Sequence, residues 1–330
     1  QRHALDHMQF AEHPFQRAAS TGKRIAIVGA GPAGLACAHQ LALLGHAVVI
    51  FEKQAKAGGL NEYGIAKYKL TNDFAQREVA FLLQVGGIEI RHGQELGCNL
   101  QLADLQKDYD AVFLGLGLGA SRTLGLTGED APGLLPAVEY IAALRQASDL
   151  SSLPVPQRAI VIGAGNTAID MAVQIKRLGA QEVSIVYRRG TQEMSATWHE
   201  LEIARLNQVR ILTWAQPHEV LQQDGKVTGM RFQKTRLQDG KLHGTGELFE
   251  IAADAVFKAI GQCMDSTSLP ANLARTADKI EVDAAFRTCV PGVYAGGDCI
   301  ALGQDLTVEA VQHGKLAARA IHQDILKGAA

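Results

Sequence analysis

A short unbroken apolar run, Ile25 to Val28, is followed at once by glycines, then by an apolar-periodic segment from Leu35 to Leu44 and a second apolar run, Ala47 to Phe51. Short runs of this kind, bounded by turn residues, predict strands buried on both faces, and the segment between them predicts a helix. Gly45 closes that helix as its C-cap. The same order recurs downstream: Ala159 to Ile162, glycines again, a helix ending at Gly179, and a strand from Val183 to Tyr187. The chain therefore contains an internal repeat of one βαβ unit. Between the copies, the pattern predicts a helix over Asp73 to Leu83, a strand over Ile88 to His92, a short helix ending at Asp104 to Lys107, and a buried strand at Ala111 to Leu114. Pro132, Pro136, Pro154 and Pro156 surround one helix, Ala137 to Gln146, and mark a passage between domains. Alternation from Arg210 to Ile251, with turns at Asp224-Gly225 and Asp239-Gly240, predicts antiparallel hairpins. A buried strand at Ala255 to Ile260, a second at Val293 to Ala295 and a helix from Thr307 to Ile325 complete the chain. The fold class is α/β with two Rossmann-like dinucleotide-binding domains, the second inserted into the first. The boundaries are a connector at 1–22, a first domain at 23–118 that resumes at 263–330, and the inserted domain at 119–262.

The first copy carries a full dinucleotide fingerprint. Gly29 permits the tight turn, Gly31 lets backbone approach a pyrophosphate, and Gly34 lets helix and strand sit close, with Pro32 and Ala33 between them in the candidate cofactor-binding set. The helix N-terminus offers free N–H groups and a partial positive charge to phosphates. Glu52, at the strand end and followed by Lys53, is placed to accept from a ribose 2′-OH. The loop through Gly58, Gly59 and Leu60 lies along the ligand, and Gly117 ends a strand beneath it. In the second copy Gly163, Gly165, Asn166 and Thr167 repeat the turn, with Ala168 replacing the third glycine. Arg188 holds the strand-end position that Glu52 holds in the first copy, and Arg189 follows. A carboxylate suits a free ribose diol, whereas a guanidinium pairs with a 2′-phosphate. Two different dinucleotides follow, with NADPH in the second domain; NADH use stays open, since arginines also tolerate an unphosphorylated ribose. Gly261, Gly297, Asp298, Thr307 and Val308 end strands or open the last helix and complete the candidate cofactor-binding set.

At 330 residues with 47% hydrophobic and 20% charged residues, the chain has the composition of an ordinary soluble α/β protein of two domains. A net charge of −2 provides no basic field for nucleic acid or an anionic membrane. The five cysteines are scattered without a C-x-x-C, which excludes a redox dithiol, a structural zinc and an iron–sulfur cluster held by this chain alone. With no signal peptide, they read as buried thiols of a cytoplasmic protein. His3 and His7 are four apart but lack a third ligand, so they read as surface histidines.

The motifs V-G-A-G-P-A-G-L, A-G-G-L-N-E-Y-G-I, I-G-A-G-N-T-A-I-D, V-Y-R-R-G, A-I-G-Q and Y-A-G-G-D-C, together with the L-G-L-G junction, resemble the two-dinucleotide flavin oxidoreductases. More narrowly, the chain resembles the small subunit of glutamate synthase and the NAD(P)H-oxidising subunit of bacterial dihydropyrimidine dehydrogenase. The resemblance implies FAD in the 23–118 and 263–330 domain, with Asp298 near the flavin ribityl–phosphate region and the Thr307 helix N-terminus at the isoalloxazine. It implies NADPH or NADH in the 119–262 domain. The implied role is an electron-input flavoprotein that takes hydride from NADPH and passes electrons singly to an iron–sulfur or FMN-bearing partner. Hydride transfer needs stacking and orientation, so no catalytic acid–base residue is assigned. Ala66 and Ser195 depart from the family pattern, which usually has proline in the G-I-P-x-F-K/R-L stretch and an M-P pair. These proteins also usually begin with a domain holding two [4Fe–4S] clusters. Either such a segment precedes Gln1 in a longer protein, or the clusters sit on a partner. A self-contained ferredoxin–NADP reductase and a non-catalytic FAD-binding redox module stand as alternatives.

Overall fold

The computed structural model describes residues 13–265 and 269–328. The chain divides into two compact units. Unit 1 gathers the described residues of Gln1–Glu62, Leu70–Ala120 and Cys263–Ala330; unit 2 is Tyr63–Lys69 with Ser121–Gln262.

Unit 1 opens with β1 (Arg24–Val28), α1 (Pro32–Leu43) and β2 (Ala47–Glu52), followed by the short α2 (Leu60–Tyr63), α3 (Phe74–Leu83), β3 (Ile88–His92), α4 (Leu102–Asp108) and β4 (Ala111–Leu114). After the two-residue β5 (Ala120–Ser121) the chain enters unit 2 with β6 (Leu134–Pro136), α5 (Ala137–Gln146), β7 (Arg158–Ile162), α6 (Asn166–Arg177), β8 (Glu182–Val186), α7 (Trp198–Leu206) and β9 (Arg210–Leu212). Three long strands, β10 (Ala215–Gln223), β11 (Lys226–Gln238) and β12 (Lys241–Ala252), precede β13 (Ala255–Lys258) and β14 (Gln262–Cys263). The return to unit 1 adds β15 (Arg275–Thr276), β16 (Lys279–Ile280), β17 (Val293–Ala295) and α8 (Thr307–Gly328).

Each unit is built on a five-stranded parallel sheet, in the order β17-β4-β1-β2-β3 in unit 1 and β6-β13-β7-β8-β9 in unit 2. Their central strands are continuous apolar runs because helices cover both faces. Ile25, Ile27, Ile50 and Phe113 are fully buried in unit 1, as are Val161 and Ile185 in unit 2. Small residues set the helix packing of unit 1. A side chain at Gly314 on α8 would collide with the Ala33 carbonyl and stand 2.9 Å from the Cys37 nitrogen on α1, so the two helix backbones nearly touch.

Unit 2 also carries the antiparallel sheet β10-β11-β12. Asp224-Gly225 and Asp239-Gly240 turn its corners, all four with positive φ, as two-residue hairpin loops require. Two expectations need correction. The proline-bearing stretch lies inside unit 2: Leu134–Pro136 is an edge strand paired with β13, where a terminal proline is tolerated, while the two units divide after Ala120 and Gln262. Tyr63–Lys69, taken as part of the first domain, belongs with unit 2, because α6 offers it buried acceptors: Asp170 receives Tyr68 Oη (3.1 Å) and Lys69 Nζ (2.6 Å), and Gln174 receives the Lys67 N–H (3.0 Å). His3 and His7 lie outside the described residues.

Candidate functional site

In unit 1 the turn from β1 to α1 is closed by geometry that admits only glycine at two points. Gly29 has φ +98° and a side chain there would strike the Gly115 carbonyl; one at Gly34 would strike the Gly29 carbonyl. Gly31 differs, because a side chain would meet only the Gly59 Cα at 3.9 Å, so its bareness serves something outside the protein's own packing. The loop after β2 folds across this turn: the Gly58 N–H donates to the Ala30 carbonyl at 2.8 Å. A side chain at Gly59 would come within 2.8 Å of the Gly31 Cα. Gly31 is the N-cap of α1 and no side chain caps the helix, so its first N–H groups stay open. Pro32 and Ala33 form its first turn, and Leu60, the first residue of α2, is exposed.

Glu52 is buried and both its oxygens are engaged, Oε2 by the Ala30 N–H and Oε1 by the Gln54 N–H, each at 2.7 Å. It thus ties the glycine turn to the end of β2 and keeps lone pairs for a hydroxyl. Lys53 is exposed and pairs loosely with Glu95 at 3.6 Å. Gly117 has positive φ and open space around it.

Asp298 closes the unit 1 site from the other side. Its Oδ1 is buried without any hydrogen-bond partner. Burial pushes its carboxyl above the usual range, Asp305 and Glu309 push the same way, and Lys279 opposes them. A buried acceptor left unsatisfied is costly unless a ligand donor meets it. Gly297 fits against α1 so tightly that a side chain would stand 2.9 Å from the Ala33 Cβ. Its N–H donates to His313 Nδ1 at 3.3 Å, a contact on α8 that no sequence motif announces. Thr307 and Val308 open α8 and are exposed. An extended ligand with a pyrophosphate and hydroxyl groups, as FAD is, fits these features: bare Gly31, open α1 N–H groups and the orphaned Asp298 oxygen. Cys299 beside them is an inert buried thiol, pushed up to about 11 by burial.

In unit 2 the turn has the same form. A side chain at Gly163 would strike the Ala259 carbonyl, and Gly165 is the N-cap of α6, again without a side-chain cap and with no acid in the first turn. Asn166 and Thr167 begin the helix, and Ser195 Oγ stands 3.5 Å from the Ala164 carbonyl that it donates to. Gly261, with φ +98°, lies 3.6 Å from Arg122 as a side chain would reach it.

The equivalence proposed between Glu52 and Arg188 shifts by one residue. Gly29 N–H bonds the Phe51 carbonyl and Gly163 N–H bonds the Val186 carbonyl, so Glu52 corresponds to Tyr187, and Lys53 to Arg188. The connection before β8 is one residue longer, Arg158 pairing with Glu182 where Arg24 pairs with Ala47, and periodicity alone could not count it. No carboxylate therefore stands at the ribose position of unit 2; Tyr187 is there, its hydroxyl donating to the Glu193 carbonyl at 2.9 Å. Arg188 and Arg189 are exposed, and neither guanidinium has an ion-pair or hydrogen-bond partner among the described residues. The backbone beneath them is held firmly: the Arg188 carbonyl accepts from Thr235 Oγ1 (2.7 Å) and the Arg189 carbonyl from the Trp214 N–H (3.0 Å). Two guanidiniums on a rigid base, neither of them ion-paired, fit a phosphate, and the Glu193 carboxylate stands close by, its Oε2 2.8 Å from where a Gly190 Cβ would lie.

Two glycine turns feeding capless helices, each at the end of a parallel sheet, define paired Rossmann-like dinucleotide-binding domains. A family model described as "Pyridine nucleotide-disulphide oxidoreductase" matches residues 23–314, and the chain belongs to that family of oxidoreductases. Within it, the chain is 34% identical over 91% of its length to the glutamate synthase [NADPH] small chain of Escherichia coli, covering 68% of that protein, and groups with such small chains. It is also 36% identical over 94% of its length to the NADP(+)-dependent formate dehydrogenase subunit beta of Moorella thermoacetica, of which it spans only 45%. A solved structure of Mycobacterium tuberculosis FprA in complex with NADPH shares the fold, with a TM-score of 0.76 and 21% identity, over 93% of this chain and 85% of that one. Among the described residues no cluster suited to a metal ion occurs, and no helix is long and apolar enough to cross a membrane.

Proposed function

We propose that this chain is an electron-input flavoprotein. It takes hydride from NADPH onto FAD and releases electrons singly to an iron–sulfur or FMN-bearing partner, in glutamate synthase-like or dihydropyrimidine dehydrogenase-like chemistry in the cytoplasm. The carrying observation is the contrast between the two turns: a buried, backbone-bound Glu52 in one, and in the other Tyr187 at the corresponding position followed by two guanidiniums without an ion pair among the described residues. Unit 1 then holds FAD and unit 2 holds NADPH. Gly31, the α1 N–H groups and Gly59 bind the FAD pyrophosphate, Glu52 a ribose hydroxyl, and Asp298 accepts from a further hydroxyl. Gly165 and the N–H groups from Asn166 and Thr167 bind the second pyrophosphate, with Arg188 and Arg189 on the 2′-phosphate. FAD held there supplies an acceptor for a hydride and a donor of single electrons.

The names of the relatives support a subunit role. The five cysteines include no C-x-x-C pair, and in this reading the next carrier sits elsewhere. The test is anaerobic. The yellow isolated chain should be bleached by NADPH and should reduce dyes, yet form no dihydrouracil from uracil and no glutamate from glutamine and 2-oxoglutarate without an added partner. Product at enzyme-like rates from the chain alone would sink the electron-input reading, and flavin that NADPH cannot bleach would favour a non-catalytic module.

A further inference from the structure

One cleft in unit 2 is not used by any glycine motif. It has a volume of about 450 Å³ and is lined by Arg210, Leu212, Trp214, Lys234, Phe249 and neighbouring threonines. It runs along β9, from Arg210 at the strand's start to Trp214 just beyond its end, and β9 neighbours β8, after which Arg188 and Arg189 stand. The two arginines and the cleft share one scaffold, since Thr235 and Trp214, which line the cleft, make the hydrogen bonds that hold the two arginine carbonyls.

Trp214 is held in an uncommon conformation. Its φ is +59°, in the left-handed region that a bulky residue rarely adopts. Two backbone bonds enforce it: its N–H donates to the Arg189 carbonyl (3.0 Å) and its carbonyl accepts from the Thr235 N–H (2.9 Å). The indole ring lies over Gly190, where a Cβ would come within 2.8 Å of Cζ2 and equally close to Glu193 Oε2, which shares this corner. Gly190 directly follows the arginine pair, so its bareness allows the ring to reach that corner. Across the cleft Phe249 is braced by a stacked, fully buried Phe232, with ring centroids 5.8 Å apart. On the rim Arg210 is exposed and without a partner among the described residues, while Lys234 pairs with Glu247 at 2.5 Å. Backbone strain held by specific bonds collects at binding sites. A flat aromatic wall beside unpaired guanidiniums matches one chemical class: an aromatic ring carrying a phosphate.

The geometry points to Trp214 as the seat of the adenine ring of a 2′-phosphoadenosine, its indole stacking on the base while Arg188 and Arg189 take the 2′-phosphate and Arg210 screens its charge. This rests on the assignment of NADPH to unit 2 and names the residue that reads the base. In a dinucleotide fold the adenosine half lies over the first three strands, which here are β7, β8 and β9, so the strand order brings the base to this end of the sheet.

The chain has two tryptophans, Trp198 and Trp214. Trp198 is 74% exposed, so Trp198→Phe leaves Trp214 as the sole indole reporter at little structural cost. In the full flavin-loaded chain with that change, 2′,5′-ADP should quench tryptophan fluorescence saturably, and nicotinamide mononucleotide should not. By calorimetry on the otherwise native chain, Trp214→Leu should raise the Kd of 2′,5′-ADP about ten- to a hundred-fold, the range that base–aromatic stacking supports, and Trp214→Phe should recover most of it. An unchanged Kd in Trp214→Leu, or no quenching at saturation by 2′,5′-ADP, overturns the Trp214 assignment while leaving NADPH in unit 2. If 2′,5′-ADP fails to bind the native chain at all, the NADPH assignment itself falls. Should Trp214→Leu not fold, the quenching measurement alone decides.

Discussion

Glycines that look alike in the fingerprint separate once their surroundings are known. Gly31 has room for a methyl group and Gly34 has none. Gly31→Ala should therefore fold, lose flavin and melt like the flavin-stripped native chain, whereas Gly34→Ala should melt below that as well, because the added carbon strikes the Gly29 carbonyl. Flavin absorbance per chain and thermal unfolding measured together check this; full flavin in Gly31→Ala would misplace the pyrophosphate. At the other turn, replacing Arg188 and Arg189 by Ala should weaken NADPH by about 1–3 kcal/mol, the scale of charge-assisted hydrogen bonds to a phosphate, with far less effect on NADH. KM values for both nucleotides decide it, and equal losses would mean that the arginines shape the unit without reading the phosphate. Ala66 shows a departure from a family pattern acquiring a use. Where proline has no N–H, the Ala66 N–H points to Asp170 Oδ2 at 3.4 Å, a long contact that adds to the stronger bonds from Lys69 and Tyr68.

Those bonds matter at the scale of elements, because they decide where Tyr63–Lys69 belongs. Asp170 on α6 is buried, which pushes its carboxyl up, and Lys69, Tyr68 and the Ala66 N–H hold it back toward the charged form. Lys69 also pairs with Glu200 of α7 at 2.9 Å, so one ammonium serves two carboxylates with side-chain exposures of 6% and 13%. Lys69→Met strands both charges and should cost about 3–5 kcal/mol in denaturant unfolding. Lys23→Ala, which breaks a pair with Asp110 that is about one-third exposed on each side, should cost only about 0.2–1 kcal/mol. Similar costs for the two would show that the buried cluster does not hold the segment. The last helix was legible as a helix from its periodicity, but its seat was not. Gly314 reads as an ordinary helical glycine until α1 is seen lying against it.

For the whole molecule the clearest consequence is a dependence on pH. His39, His46 and His313 are buried, and burial lowers each pKa from its ordinary value. For His46, Thr21 Oγ1 and His322 Nδ1 each lie 2.8 Å from a ring nitrogen, with His322 and Arg17 reinforcing the shift and Asp110 opposing it. The folded chain therefore binds fewer protons than the unfolded one as the pH falls through about 6.5, and stability drops from there downward. Denaturation midpoints should be lower at pH 5.5 than at pH 7.5, and His46→Gln should flatten the difference; a midpoint that rises on acidification contradicts it. The raised carboxyls of Asp170 and Asp298 act in the opposite sense, since the folded chain takes up their protons at a higher pH than the unfolded chain does. Buried apolar runs, the doubled glycine turn and the hairpin turns were all legible in the sequence, because strand burial, positive φ and two-residue loops each demand particular residue types at short range. What only the tertiary structure decided depends on partners far apart in the chain: the one-residue shift that puts Tyr187 opposite Glu52, the capture of Tyr63–Lys69 by Asp170, the orphaned oxygen of Asp298, and the placing of Trp214 beside Arg189. Local pattern specifies an element and its faces; which distant residue meets it is settled only when the sheets pair and the helices pack.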